Sequence, residues 1–135
     1  MVARISVGKN LYGALAYNQN KVDEGGAKVL SAHLLRYPED GRFRPDESVR
    51  QFIEWMPNHY RTEKPVIHIS LNPHPDDILT DEQLAEIGRE YMQRLGYGNQ
   101  PYLVFKHEDI DRHHIHIVSL RVDSEGRKVS DKFEH

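Results

Sequence analysis

The sequence predicts an α+β fold, with a mainly antiparallel central sheet and helices packed on it. Apolar residues recur at every second position in some stretches and at helical spacing in others, in the order strand, helix, helix, strand, helix, strand, strand. A helix separates the second strand from the third, and the last two strands follow each other directly, as in a hairpin. The expected architecture is a two-layer sandwich of the ferredoxin-like or palm type, with the helices on one face.

The first third of the chain is predicted to hold one strand and one short helix. Residues 2–7 alternate apolar and polar side chains, which is typical of a strand. Residues 11–22 carry leucines at helical spacing, although Gly13 weakens the helix. Residues 27–35 are apolar and stay unassigned. Residues 36–45 contain two prolines and a glycine and are predicted to be a loop.

The middle of the chain is predicted to hold a helix and a strand. Asp46 is the expected N-cap of a helix with an apolar stripe that ends around Pro57. Residues 65–71 alternate again and predict a strand, in which His68 lies on one face and Ile67 and Ile69 lie on the other.

The last helix and the last two strands have the clearest signals. Thr80 and Gln83 form a capping box that begins a helix, and Gly96 is a natural C-cap. Two apolar strands follow, over residues 102–107 and 114–122.

Composition predicts one soluble domain. The chain has 135 residues, no cysteine, no apolar run of membrane-spanning length and no signal-peptide core at its N-terminus, so a reducing cytoplasm is the expected location. The formal net charge is −3. Nucleic-acid-binding domains are usually basic, so a bound cation and a local basic face would have to compensate.

Histidines are concentrated in one short segment. Four of the nine lie between His107 and His116. His114 and His116 share one face of a strand, and His107 ends the preceding strand, so a turn between the strands would bring a third imidazole beside the pair. Three neutral imidazoles can bind a divalent metal ion such as zinc or manganese, and added phosphate oxygens would admit magnesium. The alternative is that these are ordinary surface histidines.

Two kinds of chemistry could use such a metal site. Metal-activated water would need only a base, such as Asp109 or Glu108. Covalent catalysis would need a nucleophile, and the chain has no cysteine, no G-x-S-x-G and no phosphate-binding glycine loop. Tyr12 and Tyr17 in the first helix are candidates, since a tyrosine oxygen can act as a nucleophile. Packing of both tyrosines at the rim of the helix is the alternative.

These segments resemble the bacterial relaxases, the mobilisation nucleases of the histidine-hydrophobe-histidine endonuclease superfamily. The pattern His107-x-Asp109-x4-His114-Ile-His116 is similar to their histidine motif without a gap. Residues 68–73, followed by the capping-box helix, resemble the second motif, and residues 17–21 (Tyr-Asn-x-x-Lys) resemble the first. The resemblance covers residues 5 to 122, and three motifs in the right order are more specific than His-x-His alone.

The resemblance implies a DNA relaxase that nicks one strand at an origin of transfer and forms a 5′-phosphotyrosine intermediate, for mobilisation of a plasmid or another mobilisable element. His107, His114 and His116 would hold a divalent metal ion, with Mg or Mn expected first and Zn, Ni or Co as substitutes in vitro. Asp109 would orient a ligand histidine or help to deprotonate the nucleophile. Tyr17 would be the nucleophile, with Tyr12 as the alternative.

The expected partners are single-stranded DNA at the origin of transfer and accessory mobilisation proteins, with no membrane. The sequence does not predict the oligomeric state. Basic residues that could contact DNA are Lys9, Lys21, Lys28, Arg36, Arg42, Arg44, Lys106, Arg112 and Arg121. Relaxase domains usually run on into further helices, so residues 1–135 are expected to form a single domain that lacks part of the C-terminal side.

Two other functions remain open from the sequence. One is a metal-dependent phosphodiester hydrolase that uses activated water, in which both tyrosines are structural. The other is a non-catalytic DNA-binding fragment. Replication-initiator nucleases use the same histidine arrangement, so the assignment to DNA transfer depends on the motifs of the family.

Overall fold

A computed structural model describes residues 1–36, 44–108 and 113–130, and within these ranges the chain forms five strands and three helices. In chain order they are β1 (Val2–Gly8), α1 (Leu11–Asp23), β2 (Ala27–His33), α2 (Pro45–Trp55), β3 (Val66–Asn72), α3 (Asp81–Leu95), β4 (Tyr102–His107) and β5 (His114–Leu120). Within the same ranges, no helix is long and apolar enough to cross a membrane.

The strands form one sheet in the order β1-β3-β5-β4-β2, and every neighbouring pair is antiparallel. The three central strands are largely buried, whereas β1 lies at an edge with most of its side chains exposed. The predicted α+β fold, with a mainly antiparallel central sheet and helices packed on it, is therefore confirmed.

Helices cover both faces of this sheet. On one face, α3 packs against alternate residues of the central strands. On the other face, Leu11 and Leu15 of α1 and Phe52 of α2 pack against Leu103, Phe105, Val118 and Leu120. His116 shares this second face because it alternates with Ile115 and Ile117, which face α3. The expectation that the helices lie on one face is thus wrong, since α1 and α2 pack on the face that carries His116 and α3 packs on the other.

The unassigned segment 27–35 contains an edge strand. Residues 27–33 pair with β4, and the register shifts between Val29 and Ser31. Such an irregularity breaks the two-residue alternation that identifies a strand in a sequence. The strand is also only partly buried, so its apolar side chains carry a weak pattern.

The prediction that Asp46 is the N-cap of α2 is wrong. The helix begins at Pro45, and Arg44 occupies the cap position, where its side chain makes no capping hydrogen bond to the helix. Proline suits the first helical position because its fixed φ matches the helix and its missing N–H has no partner there in any case. Asp46 and Glu47 lie in the first turn, where a negative charge favours the helix dipole.

Both caps predicted for α3 are confirmed. The Thr80 hydroxyl accepts a hydrogen bond from the Gln83 N–H, and the Gln83 side chain accepts one from the Thr80 N–H. Gly96 ends the helix with φ of 101°, a left-handed conformation in which glycine has no Cβ penalty.

Candidate active site at the histidine strands

Three histidines meet where β4 ends and β5 begins. His107 lies directly opposite His114 across the strand pair, and His116 lies two residues further along β5, opposite Phe105. Directly opposed side chains in an antiparallel pair point to the same face, so the three imidazoles converge. Each offers one nitrogen, and these nitrogens lie within 4.8 Å of one another. We call His107, His114 and His116 the histidine triad.

The triad fits a divalent metal ion. Three imidazole nitrogens are a common protein ligand set for first-row metal ions, and they leave other coordination positions for substrate oxygens. His107 is 1 % exposed and the other two are half-buried, so the site is partly shielded but open on one side. The donor set and its partial burial are therefore suited to a metal that also contacts a ligand.

His68 supports one member of the triad from the neighbouring strand. Its Nε2 lies 3.0 Å from Nδ1 of His116, so one ring donates to the other. Burial lowers the pKa of His68, which favours a neutral ring that can accept a hydrogen bond. In the tautomer in which His116 is the donor, its proton is on Nδ1 and its lone pair is on Nε2. A second hydrogen-bonding partner of this kind fixes the tautomer of metal-binding histidines.

Asn18 supports a second member of the triad from α1. Its side chain is fully buried, and its Nδ2 donates to the carbonyl of Ala14 at 2.8 Å. Its Oδ1 lies 2.8 Å from Nε2 of His107. Because the amide nitrogen is committed to Ala14, the oxygen faces the ring and His107 Nε2–H donates to it. The lone pair of His107 is then on Nδ1.

The same helix brings Tyr17 to the triad. The Tyr17 ring stacks on His107 with centroids 6.2 Å apart, and its side chain is about half exposed. The Nζ of Lys21, one turn later, lies 6.0 Å from the centre of the Tyr17 ring. Tyr12 lies five residues earlier, about 140° around the helix. Within the described ranges, Tyr12 makes no ring contact with the triad.

Asp109, the remaining predicted site residue, lies outside the described residues, as do Arg42 and Arg112. Its neighbour Glu108 is described, and its carboxylate lies 2.9 Å from Nζ of Lys106.

Two of the predicted DNA contacts are held in an ion-pair network on the α3 side of the sheet. Lys106 is 6 % exposed and lies 2.7 Å from Asp81, at the first turn of α3. Lys28, opposite Lys106 in the sheet, lies 2.5 Å from the same carboxylate. Hydrogen bonds from Lys106 and Lys28 hold the pKa of Asp81 at about 2. These lysines therefore fix α3 to the sheet and point away from the triad.

An open groove connects the triad to the edge strand β1. It has a volume of about 470 Å³ and is lined by Arg4, Ser70, Asn72, His74, His114 and His116, among others. The register explains Arg4, because Arg4 lies opposite Ser70 and Ser70 lies opposite His116. Arg4 was not among the predicted DNA contacts. The alternation of residues 2–7 puts it on the polar face of β1, but only the strand order puts that face beside the histidines.

Comparison with known families matches residues 17–135 to one family model, which is described as "Relaxase: MobA/VirD2-like, nuclease domain". The matched range begins at Tyr17 and includes the whole triad, His68 and Asn18. Comparison with curated proteins gives no match.

Proposed function

The chain belongs to the relaxase family of MobA/VirD2-like nuclease domains, and we propose that it nicks one strand of DNA at an origin of transfer through attack by Tyr17. Enzymes of this family are DNA endonucleases that depend on a metal ion and act on single-stranded DNA. The observation that carries the proposal is the contact of the Tyr17 ring with His107, because it joins a nucleophile to the predicted metal ligands.

The proposed reaction is a transesterification. The Tyr17 oxygen attacks the scissile phosphorus, the bond from phosphorus to the 3′ oxygen breaks, and a 5′-phosphotyrosine forms. The phenol proton leaves to a base or to solvent, and the departing 3′ oxygen takes up a proton to become a free hydroxyl. A divalent cation held by His107, His114 and His116 would neutralise charge on a non-bridging phosphate oxygen.

Residues around Tyr17 support this role by position and charge. The half-exposed ring can meet a phosphate that enters from solvent. Lys21 adds a positive charge next to the ring and attracts the phosphate backbone toward it. Arg4 adds a positive charge at the far side of the groove that opens from His114 and His116, where it can also attract the phosphate backbone. In the family motif Asp109 would orient a ligand or assist deprotonation, and this remains a prediction.

Asn18 is the proposed positioning residue that couples the nucleophile to the metal ligands. It directly follows Tyr17 on α1, and its buried amide binds His107. The hydrogen bond between Asn18 and His107 therefore fixes the tautomer of a metal ligand and also the position of the helix that carries the nucleophile.

Replacing Asn18 with leucine is expected to weaken Mn²⁺ binding by about 10- to 100-fold, as for other lost hydrogen-bonding partners of metal ligands. It would also leave the buried His107 N–H without an acceptor, at a cost of about 1–3 kcal/mol in the free energy of unfolding. Titration calorimetry with Mn²⁺ measures the first effect and thermal unfolding the second.

Asn18→Asp keeps an acceptor for His107 Nε2–H but loses the donor to Ala14, so it is the control for metal affinity and not for stability. It should restore most of the metal affinity. Wild-type Mn²⁺ affinity in a folded Asn18→Leu protein would contradict the positioning role.

The proposed function is tested by trapping the covalent intermediate. The protein is incubated with labelled single-stranded oligonucleotides that span candidate origins, in the presence of Mg²⁺ or Mn²⁺. An SDS-resistant protein–DNA band is expected, together with a released fragment that ends in a 3′ hydroxyl. Cleavage without a covalent band would instead support a hydrolase that uses activated water.

The biological setting is also part of the proposal and follows from the family. The protein would serve a plasmid or another mobilisable element, would work with accessory mobilisation proteins and would act in the cytoplasm.

A further inference from the structure

A second groove lies at the end of the sheet opposite the triad. It has a volume of about 1200 Å³ and is formed by the loop between α2 and β3 and by the turn after β5. Five basic residues line it, namely Arg61, Lys64, Arg121, Arg127 and Lys128. We call it the basic groove.

The charge of the basic groove contrasts with that of the chain. The chain has 18 basic and 21 acidic residues, a net charge of −3. The basic groove takes five of the basic residues and one acidic residue, Glu63. Two more carboxylates flank it, since Glu125 lies 3.5 Å from Arg127 and Asp123 accepts hydrogen bonds from the turn backbone. With all three carboxylates counted, the local balance is still two positive charges, which complements a polyanion.

The two walls of the basic groove are fixed to each other. The Arg121 N–H donates to the carbonyl of Pro65 at 2.6 Å, and its guanidinium donates to the carbonyl of Lys64 at 2.9 Å. Gly126 lies against the loop so closely that a Cβ there would be 2.7 Å from the His59 oxygen. The basic groove is therefore formed before any ligand arrives, which lowers the cost of ordering on binding.

An exposed aromatic ring adds a second kind of contact. Tyr60 lines the basic groove and is 41 % exposed. Sites for single-stranded nucleic acid combine cations, which follow the phosphates, with aromatic rings on which bases stack. Duplex DNA would offer phosphates but no base face to Tyr60. The combination thus favours a single strand.

We propose that the basic groove binds single-stranded DNA that flanks the scissile phosphate on the same substrate strand. This inference rests on the proposed function and names a second contact with its substrate. From His114 to Arg121 the chain advances seven residues, or roughly 24 Å along a strand. A stacked DNA strand advances about 3.4 Å per nucleotide. The contact therefore begins about seven nucleotides from the cut, or fewer if the strand is stretched.

The test measures binding of a fluorescent oligonucleotide by anisotropy in EDTA, where no cleavage takes place, over a series of salt concentrations. A plot of log K against log salt has a negative slope, and for a single strand each lost phosphate contact makes this slope shallower by about 0.7. The double variant Arg61→Gln, Lys64→Gln should thus make the slope shallower by about 1.4. The matched control Arg89→Gln, Arg94→Gln removes two exposed cations from α3 and should leave the slope unchanged.

Tyr60→Ala and oligonucleotide length provide independent readouts. Tyr60→Ala should reduce affinity by roughly tenfold with little change of slope, because it removes stacking and no charge. Shortening one flank of the oligonucleotide below about seven nucleotides should weaken binding to the wild type and have little effect on the double variant. An unchanged slope in the double variant, an equal change in the control pair, or no dependence on either flank would overturn the proposal.

Failure of this proposal can be told apart from failure of the proposed function. If the double variant loses slope but no oligonucleotide gives a covalent band, the basic groove binds DNA and the nicking proposal fails. If the covalent band forms and the slope is unchanged, nicking stands and the basic groove is not a DNA site.

Discussion

Replacing Tyr17 with phenylalanine is expected to abolish the covalent protein–DNA adduct and leave the fold intact. The substitution removes one oxygen and keeps the ring that stacks on His107. The side chain is half exposed, so the loss of its hydroxyl leaves no buried partner unsatisfied. Deleting a catalytic nucleophile lowers turnover by several orders of magnitude, and we expect about 10⁴-fold or more. Quantifying the SDS-resistant band over time measures the effect.

The matched control for this experiment is Tyr12→Phe. Tyr12 lies on the same helix with nearly the same exposure, 53 % against 50 % for Tyr17, but on another side of α1. Its variant should form the adduct at the wild-type rate. Loss of the adduct in Tyr12→Phe with retention in Tyr17→Phe would exchange the two assignments. Undiminished cleavage by both variants without any adduct would support activated water as the nucleophile.

Parts of this molecule with local signals could be predicted from the sequence. The capping box of Thr80 and Gln83 and the left-handed Gly96 need only their own neighbours. The two-residue alternation of β3 and of the first half of β5 survives because one face of each strand is buried under α3 and the other face is only partly buried. The close approach of His107 to His114 was also predictable, since a short connection between adjacent strands forces an antiparallel pair.

Other features depend on tertiary arrangement and have little local signal. In the sequence, Asn18 is only a residue of low helix propensity. It becomes a partner of His107 because α1 packs on the face of the sheet that carries the histidines. Arg4 comes near His116 because β1 pairs with β3, which places Arg4 opposite Ser70, 66 residues later in the chain. Lys106 carries a charge that is typical of a DNA contact, yet Asp81 binds it on the opposite face. In all three cases, contacts between residues far apart in the sequence determine where the side chain lies.

Removing His116 is expected to have the largest effect on metal binding. His116→Ala deletes one of the three nitrogens that lie within 4.8 Å of one another. Loss of a partner behind a ligand costs about 10- to 100-fold in affinity, so loss of the ligand itself should cost more than about 100-fold. Titration calorimetry with Mn²⁺ measures the affinity, and adduct formation against Mn²⁺ concentration measures the consequence.

Two further histidines turn this into a graded series. His68→Ala removes the hydrogen-bonding partner of His116 and should weaken Mn²⁺ binding by about 10- to 100-fold, which is less than the loss in His116→Ala. His113→Ala removes an exposed ring next to His114 and should have no effect. Equal affinities in His116→Ala and His113→Ala would mean that the metal binds elsewhere. Excess Mn²⁺ should restore part of the adduct in His116→Ala but none in Tyr17→Phe, because mass action can refill a weakened metal site and cannot replace a missing nucleophile.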